Sequence, residues 1–334
     1  MILLVSDPHF TDKPEDSYRF DLFEAIWDWC EEYEINQILF LGDLTHEKDN
    51  HSAKLVNKIV DGIFGLTGYC PVTILMGNHD YFDPEHPFFE FLEIIPNCNF
   101  IDTPHCDVFD GELVLLIPHQ KEFKMPFIPV THKKLDYIFI HQCVDGAIAE
   151  TGKHLSGVNI SPLSDLKPRG GIWAGDIHKP QRVGAVTYVG APYNIRFGDN
   201  FEGRCILLDP KDYSHKELYF ATPRKWSLTI RDASELFNFK DFRKGHFVKI
   251  KLELSKEEIP DWPEQKDQII QFCKDSKLQL TGPELIVMKS TKRLRLQQKE
   301  QSAIEPREVL KGFCKYEQVP NEIKKAGLKI LKNV

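Results

Sequence analysis

Five short polar motifs, each at the end of an apolar run, constrain this sequence more than any other feature. They are Asp7-Pro8-His9, Gly42-Asp43, Gly77-Asn78-His79-Asp80, His141 and Gly175-Asp176-Ile177-His178. The apolar runs are short, and three of them are rich in β-branched or aromatic residues, which is typical of buried strands. Polar side chains that follow such strands collect at one edge of a sheet, where open α/β sheets place their sites. We therefore expect one site built from five separate parts of the chain.

The residue types in these motifs are those that bind divalent metal ions. Carboxylate and imidazole ligands suit Mn, Fe or Zn better than the all-oxygen cages of Ca or Mg, and no cysteine joins the group. Two ions about 3.5–4 Å apart polarise a phosphoryl oxygen, lower the pKa of a bridging water and stabilise the leaving oxygen. The set therefore indicates two-metal hydrolysis of a phosphoester.

Each motif has an ordinary structural explanation when it is taken alone. Asp-Pro and Gly-Asp form turns after strands, Asn-His-Asp forms a capped loop, and a lone histidine such as His141 is most often a core residue. Independent turns, however, have no reason to end five strands in succession with ligand-type side chains. The combination favours the functional interpretation.

In this order, the five motifs resemble those of the calcineurin-like metallophosphoesterases. The resemblance implies the α/β fold of that family, a two-sheet αββα sandwich. It implies that His79 is the acid that protonates the leaving oxygen, and that Asp80 orients or charges the His79 imidazole. The implied metal ligands are Asp7, His9 and His178 for the first ion, Asp43 as the bridge, and Asn78, His141 and Asp176 for the second ion.

The fifth motif departs from the family pattern, which usually has Gly-His-x-His. Asp176 stands where the first histidine is expected. A carboxylate still ligates, but it adds negative charge to the second site and shifts the metal preference towards harder ions such as Mn or Mg. We expect two divalent ions, Mn²⁺ first, with Mg²⁺, Fe²⁺ and Zn²⁺ as alternatives.

A narrower resemblance is to the SbcD-type DNA repair nucleases, specific over residues 1–200 and loose thereafter. It is carried by residues 42–47 (Gly-Asp-Leu-Thr-His-Glu), by residues 175–181 (Gly-Asp-Ile-His-Lys-Pro-Gln), and by a phosphoesterase body followed by a small cap. Members of that subfamily are manganese-dependent DNA exo- and endonucleases that pair with an SMC-like ATPase. The resemblance implies DNA repair and recombination, with DNA and an SbcC-type ATPase as partners; a homodimer is a further expectation. His46 is expected to contact the scissile phosphate or to support a metal ligand.

The apolar pattern divides the chain into three predicted parts. Residues 1–225, the expected catalytic domain, begin with alternating strands and helices, with helical spacing over residues 18–33 and 53–64. Residues 226–300 restart with a strand-helix-strand pattern and form the expected β-α-β capping or DNA-binding domain. Residues 301–334 form an expected helical tail, whose apolar stripe docks on the chain's own body or on a partner.

Charge is distributed unevenly along the chain. The formal net charge is −8, yet residues 240–334 hold 21 Lys and Arg against 14 Asp and Glu. A basic C-terminal part is suited to binding the phosphate backbone of a nucleic acid. A charged surface exposed to solvent explains the same composition, so both interpretations stay open. The densest basic group is Lys289, Lys292, Arg293 and Arg295.

Composition favours a soluble cytoplasmic enzyme. The sequence has no apolar stretch near 18 residues and no basic start followed by an apolar segment, so neither membrane insertion nor secretion is indicated. The eight cysteines are scattered without a Cys-x-x-Cys pair, which is typical of a reducing compartment.

Three hypotheses of function remain open at this point. The first is a two-metal DNA nuclease, which the basic end favours. The second is a phosphatase or a small-molecule phosphodiesterase, which the acidic body favours. The third is a non-catalytic scaffold, and the presence of His79 argues against it, because a scaffold has no need of a leaving-group acid.

Overall fold

The computed structural model describes residues 1–126 and 134–288. Within these residues the strands, β1 to β15 in chain order, are Ile2–Val5, Gln37–Phe40, Val72–Leu75, Cys98–Ile101, His105–Phe109, Glu112–Ile117, Tyr137–His141, Ile172–Gly175, Gln181–Val183, Val186–Tyr188, Cys205–Asp209, Ser214–Leu218, Lys225–Ile230, Phe247–Leu254 and Gln279–Val287. The α-helices, α1 to α4, are Asp21–Glu32, Ala53–Thr67, Ser161–Ser164 and Trp262–Asp275. Shorter 3₁₀ helices span Pro14–Phe20, Phe88–Ile94, Ala233–Asn238 and Ile259–Asp261.

Two six-stranded sheets face each other across a hydrophobic layer. Their strand orders are β12-β11-β1-β2-β3-β4 and β5-β6-β7-β8-β10-β9. Strands β1 to β4 are mutually parallel, as are β6, β7, β8 and β10. Leu4 and Leu39 of the first sheet and Leu116 and Phe139 of the second are fully buried in the layer between them. The predicted two-sheet sandwich is confirmed.

The outer faces of both sheets are also covered. Helices α1 and α2 pack on the first sheet, and α3 with its neighbouring loops packs on the second. Strands covered on both faces need no polar side, which explains why β1 is an unbroken apolar run, Ile-Leu-Leu-Val, with all four residues buried.

Helix α2 shows how the local sequence produces one of the covering helices. The Ser52 hydroxyl accepts a hydrogen bond from the Leu55 amide at 3.2 Å and so caps the helix at its start. Leu55, Ile59, Ile63 and Leu66 recur at helical spacing and are buried. Burial of this stripe holds α2 against the sheet.

The three-stranded sheet, in the order β13-β14-β15, has a hydrophobic core of its own. Its central strand is parallel to both neighbours, and α4 packs on it through Ile269 and Cys273. The predicted strand-helix-strand pattern is present. The structure adds a third strand, β13, which starts at Lys225. The two large sheets and this smaller sheet belong to one compact unit, Met1 to Val287. The domain boundary at residues 225 and 226 stays a prediction.

Part of the prediction falls outside the described residues. This applies to the helical tail at residues 301–334 and to the basic group Lys289, Lys292, Arg293 and Arg295. In the ranges that are described, no helix combines the length and the apolar character needed to cross a bilayer.

Candidate metal centre

The carboxyl ends of five strands bring the predicted motifs together. The first three motifs follow β1, β2 and β3 of the first sheet, while His141 ends β7 and Asp176 follows β8 of the second. Ligand atoms of Asp7, His9 and His178 all lie within 4.8 Å of one another, as do those of Asp7, Asp43 and His141. The two groups share Asp7 and form one continuous cluster.

Asp43 lies between the two halves of this cluster. Its Oδ2 is 3.4 Å from His9 Nε2, and its Oδ1 is 3.4 Å from His141 Nε2. The side-chain amide of Asn78 approaches His141 Nε2 to 3.2 Å, and Asp176 Oδ1 lies 3.9 Å from the same atom. Asp43 therefore offers one oxygen to each group, which is the geometry that a bridging ligand requires.

Backbone carbonyls set the orientation of two of the imidazoles. His9 Nδ1 lies 3.3 Å from the Thr45 carbonyl oxygen, and His141 Nδ1 lies 2.5 Å from that of Leu41. A proton on Nδ1 then donates to the carbonyl, and the lone pair on Nε2 faces the centre of the cluster. Metal-ligating histidines are commonly oriented in this way.

The Glu150 carboxylate lies beside His178 and was not foreseen from the sequence. Its Oε1 lies 3.4 Å from His178 Nδ1, while His178 Nε2 is 2.9 Å from His9 Nε2. The arrangement matches a carboxylate–histidine–metal sequence of contacts. Glu150 carries no motif and lies in a loop, so the sequence contains no signal that would single it out.

Burial dominates the electrostatics of the cluster. It raises the pKa of Asp7 to about 8 and, together with Asp80, raises the pKa of Asp43 well above its usual range. It also lowers the pKa of His178 to about 3 and that of His9 far below its usual range, so both imidazoles are neutral at pH 7. Neutral imidazoles beside buried carboxylates form a donor set that fits divalent cations, whose positive charge would offset the carboxylate repulsion.

Four of the predicted ligands have left-handed backbone conformations. The φ angles are 51° at Asp7, 44° at His9, 56° at Asp43 and 84° at Asp176. Each such residue costs on the order of 1–3 kcal/mol, and the conformation persists only where the surrounding structure enforces it. Here, His9 N donates to the Asp43 carbonyl at 3.0 Å, and Asp7 N donates to that of Gly42 at 3.3 Å.

Asp80 contacts the backbone rather than the His79 ring. Its carboxylate accepts hydrogen bonds from the amides of Asp43 at 2.8 Å, Leu44 at 2.9 Å and Gly77 at 2.7 Å. The expectation that Asp80 orients the His79 imidazole is thereby corrected. The side chain is fully buried and turns back into the loop, where three N–H groups satisfy it.

His46 holds the His79 ring instead. The His46 carbonyl oxygen lies 2.7 Å from His79 Nδ1, and the two rings stack with centroids 5.7 Å apart. Ligand atoms of His9, His46 and His79 lie within 4.8 Å of one another. The structure thus brings His46 into the same cluster, where it contacts the residue predicted to be the acid.

Arg19 is a second residue that sequence reasoning missed. Its side chain is buried, and its guanidinium donates to the carbonyl oxygens of His9 and Ile195. It lies inside an amphipathic stretch whose apolar spacing accounts for its neighbours, so the pattern indicates a helix and not a site residue.

Comparison with known proteins identifies a family and a curated relative to which this chain is similar. The family model of calcineurin-like phosphoesterases matches residues 1–189. Exonuclease subunit 1 of Enterobacteria phage T4 is 24% identical over 220 residues, which cover 61% of this chain and 62% of the relative. The match therefore spans less than two thirds of that relative's length.

Two solved structures are also similar to this chain. A novel archaeal phosphodiesterase has 12% sequence identity and a TM-score of 0.36, with 66% of this chain and 99% of that chain covered. Yfce, a phosphoesterase from E. coli, has 14% identity and a TM-score of 0.34, with the same coverage of 66% and 99%.

Proposed function

This chain belongs to the calcineurin-like phosphoesterase family, and from that premise we propose that it is a two-metal phosphodiesterase acting as a DNA nuclease of the SbcD type. The observation that carries the proposal is the Asp43 carboxylate, placed 3.4 Å from both His9 and His141. A carboxylate shared in this way suits a pair of cations acting on one phosphate.

The proposal assigns the predicted ligands to two ions. When bound, divalent cations supply positive charge to the phosphoryl oxygen and acidify the attacking water. The carboxylate of Asp176 favours Mn²⁺ as the physiological metal. Asp7, His9 and His178 would hold the first ion, Asn78, His141 and Asp176 would hold the second, and the Asp43 carboxylate would be available to both.

His79 is proposed as the acid for the leaving oxygen. With Nδ1 donating to the His46 carbonyl, Nε2 of the protonated ring is left to deliver its proton. Asp80 accepts hydrogen bonds from the backbone amides of Asp43 and Gly77. It thereby fixes the two loops that carry the Asp43 carboxylate and the His79 imidazole.

DNA as the substrate and a second subunit as partner belong to the proposal. They are supported by the name of the curated relative, an exonuclease subunit, and by the narrower resemblance of residues 1–200 to SbcD-type nucleases. The proposed partner is an SMC-like ATPase of the SbcC type. The proposed grip on the phosphate backbone comes from the cap and from the basic group at Lys289, Lys292, Arg293 and Arg295.

The test is manganese-dependent cleavage of end-labelled linear DNA, beside a chromogenic phosphodiester and a chromogenic phosphomonoester. We expect Asp43→Asn to lose both cleavage and Mn²⁺ binding. We expect His79→Ala to keep Mn²⁺ binding and to lower turnover by about 10²- to 10⁴-fold, the usual contribution of a general acid. Asp28→Asn, on the exposed face of α1, is the matched control and should behave as wild type.

Each alternative has its own outcome in this experiment. Hydrolysis of the small esters alone would move the function to the phosphatase class. Wild-type turnover in His79→Ala would remove the proposed acid, and the absence of any hydrolysis would support a scaffold.

A further inference from the structure

Three buried charged side chains, the last of them at the first residue of β13, connect that strand with His9. Asp16 is 4% exposed, Arg19 is 3% exposed and Lys225 is 6% exposed. Removing charges from water is costly, so buried charges are found paired and hydrogen-bonded. The contacts of these three side chains therefore indicate what they hold in place.

Arg19 joins the loop of the first motif to a second loop of the sandwich. Its Nη1 donates to the His9 carbonyl oxygen, and its Nη2 donates to that of Ile195 at 3.2 Å. The same Nη2 lies 3.0 Å from Asp16 Oδ2. A guanidinium can serve all three acceptors because its donors point in fixed directions within one plane.

Lys225 continues these contacts into the three-stranded sheet. Its Nζ lies 2.5 Å from Asp16 Oδ1 and 3.3 Å from the Ile195 carbonyl oxygen. The rings of Tyr18, Phe197 and Phe247 surround the ammonium group at 5.9–6.0 Å. Asp16 therefore pairs with Arg19 through one oxygen and with Lys225 through the other.

His9 needs such support because of its backbone. Its φ of 44° is a left-handed conformation that a non-glycine residue adopts only when its surroundings impose it. The amide of His9 is bound to Asp43, and its carbonyl is bound to Arg19. Loss of the Arg19 contact would remove one of these two restraints.

We propose that Arg19 is a positioning residue for His9, and that the Asp16–Lys225 pair makes metal affinity at His9 depend on the start of the three-stranded sheet. The inference rests on the proposed function in that His9 is taken as a metal ligand. Without the Lys225 charge, Asp16 has only Arg19 to neutralise it. Asp16 then draws the guanidinium away from the His9 carbonyl, and the His9 imidazole loses its fixed position.

The test is a Mn²⁺ titration of the full chain, with free Mn²⁺ followed by electron paramagnetic resonance. We expect Lys225→Met and Arg19→Lys each to weaken one of the two Mn²⁺ sites by about tenfold, as removal of an outer partner of a ligand does. Lys249→Met is the matched control, because it removes a lysine of β14 that forms a partly exposed ion pair with Glu284 at 2.8 Å. The control should keep both affinities.

DNA cleavage supplies a second measurement that separates positioning from general damage to the fold. We expect cleavage by Lys225→Met to return to the wild-type kcat at saturating Mn²⁺, and the near-ultraviolet circular dichroism of the metal-free variant to match that of the metal-free wild type, whereas damage to the fold would change that spectrum. Wild-type affinities in both variants would overturn the inference while the proposed function stands. If Lys225→Met does not fold, Arg19→Lys alone decides. A wild-type chain that binds no Mn²⁺ would overturn the proposed function as well.

Discussion

Gly77 is the residue at which the third motif approaches the second most closely. A Cβ atom on Gly77 would lie 2.2 Å from Asp43 Oδ1 and 2.4 Å from Asp43 N. The Gly77 amide also donates to Asp80, which in turn holds the Asp43 amide. Glycine is therefore required here for close backbone approach. The Asp43 carboxylate keeps its position because residue 77 has no Cβ atom to displace it.

We expect Gly77→Ala to displace the Asp43 carboxylate from His9 and His141. Mn²⁺ affinity should fall by about 10- to 100-fold, as for other losses of ligand orientation, and hydrolysis should fall with it. Overpacking should lower the free energy of unfolding by about 1–3 kcal/mol. Isothermal titration with Mn²⁺ and chemical unfolding measure the two effects. Unchanged Mn²⁺ affinity would contradict the requirement for glycine.

Residues 77–80 also show that neighbouring side chains of one motif can make different contacts. The His79 ring contacts the His46 carbonyl in the cluster, while the Asp80 carboxylate turns into the loop and binds three amides. The residue types were predicted from the sequence, but the direction of each side chain was not. That direction depends on φ, ψ and the positions of groups from another strand.

Helices α1 and α2 meet at Gly62, where the small size of glycine matters more than its low helix propensity. Gly62, in the middle of α2, faces the Phe23 ring of α1, and a Cβ on Gly62 would lie 2.5–2.6 Å from three of the ring carbons. Glycine in a helix interior costs about 1 kcal/mol relative to alanine. Here it allows an aromatic ring to pack against the helix backbone.

We therefore expect Gly62→Ala to destabilise the protein, although alanine is the better helix former. A gain of about 1 kcal/mol from propensity opposes an overpacking cost of about 1–3 kcal/mol. Urea unfolding measures the sum. Asn57→Ala, on the exposed face of the same helix, is the control and should be neutral or slightly stabilising. A full gain of about 1 kcal/mol in Gly62→Ala would show that the ring moves away at no cost.

At the scale of the whole molecule, the candidate metal centre joins both sheets, because its predicted ligands lie at the ends of five strands. A cation bound there stabilises the folded chain by mass action, by about 2.7 kcal/mol per site at 100 times the dissociation constant. It also offsets the burial of Asp7 and Asp43, which raises the pKa of both carboxyl groups. Metal binding and folding are therefore linked.

We expect chelation with EDTA to lower the melting temperature of the wild-type chain. Asn at position 43 removes a buried carboxylate, so Asp43→Asn should melt higher than wild type without metal and gain little when Mn²⁺ is added. Differential scanning calorimetry measures both. A wild-type melting temperature that does not respond to EDTA or Mn²⁺ would contradict the linkage.

The metal-free chain should also lose stability as the pH rises from about 6.5 to 8. The folded pKa of Asp7, about 8, lies above its ordinary value of 3.8, so over this range the native state binds a proton that the unfolded state has lost. Its stabilisation is complete below the unfolded pKa and disappears as the pH passes the folded pKa. His178, with a folded pKa of about 3, acts in the opposite direction, but only below its ordinary value of 6.5. The difference in stability with and without Mn²⁺ should therefore widen towards pH 8.

Most of the architecture could be predicted because it depends on local patterns. Apolar runs indicated the five strands that precede the motifs, and helical spacing indicated helices α1, α2 and α4, with differences of a few residues at their ends. The spacing over residues 18–33 predicted one helix, and the structure divides it into the 3₁₀ helix Pro14–Phe20 and α1. Strand β13 was missed, since its alternation is short and begins at the buried Lys225.

The sequence by itself determined which side chains follow which strands, and therefore which carboxylates and imidazoles meet at the edge of the sandwich. Parallel strands place their carboxyl ends together, so the order of motifs along the chain was sufficient. Only the tertiary structure decided that Asp80 binds amides, that Glu150 faces His178, and that Lys225 is connected to His9 through Asp16 and Arg19. These contacts join residues far apart in the chain. They depend on side-chain direction and burial, which no local periodicity records.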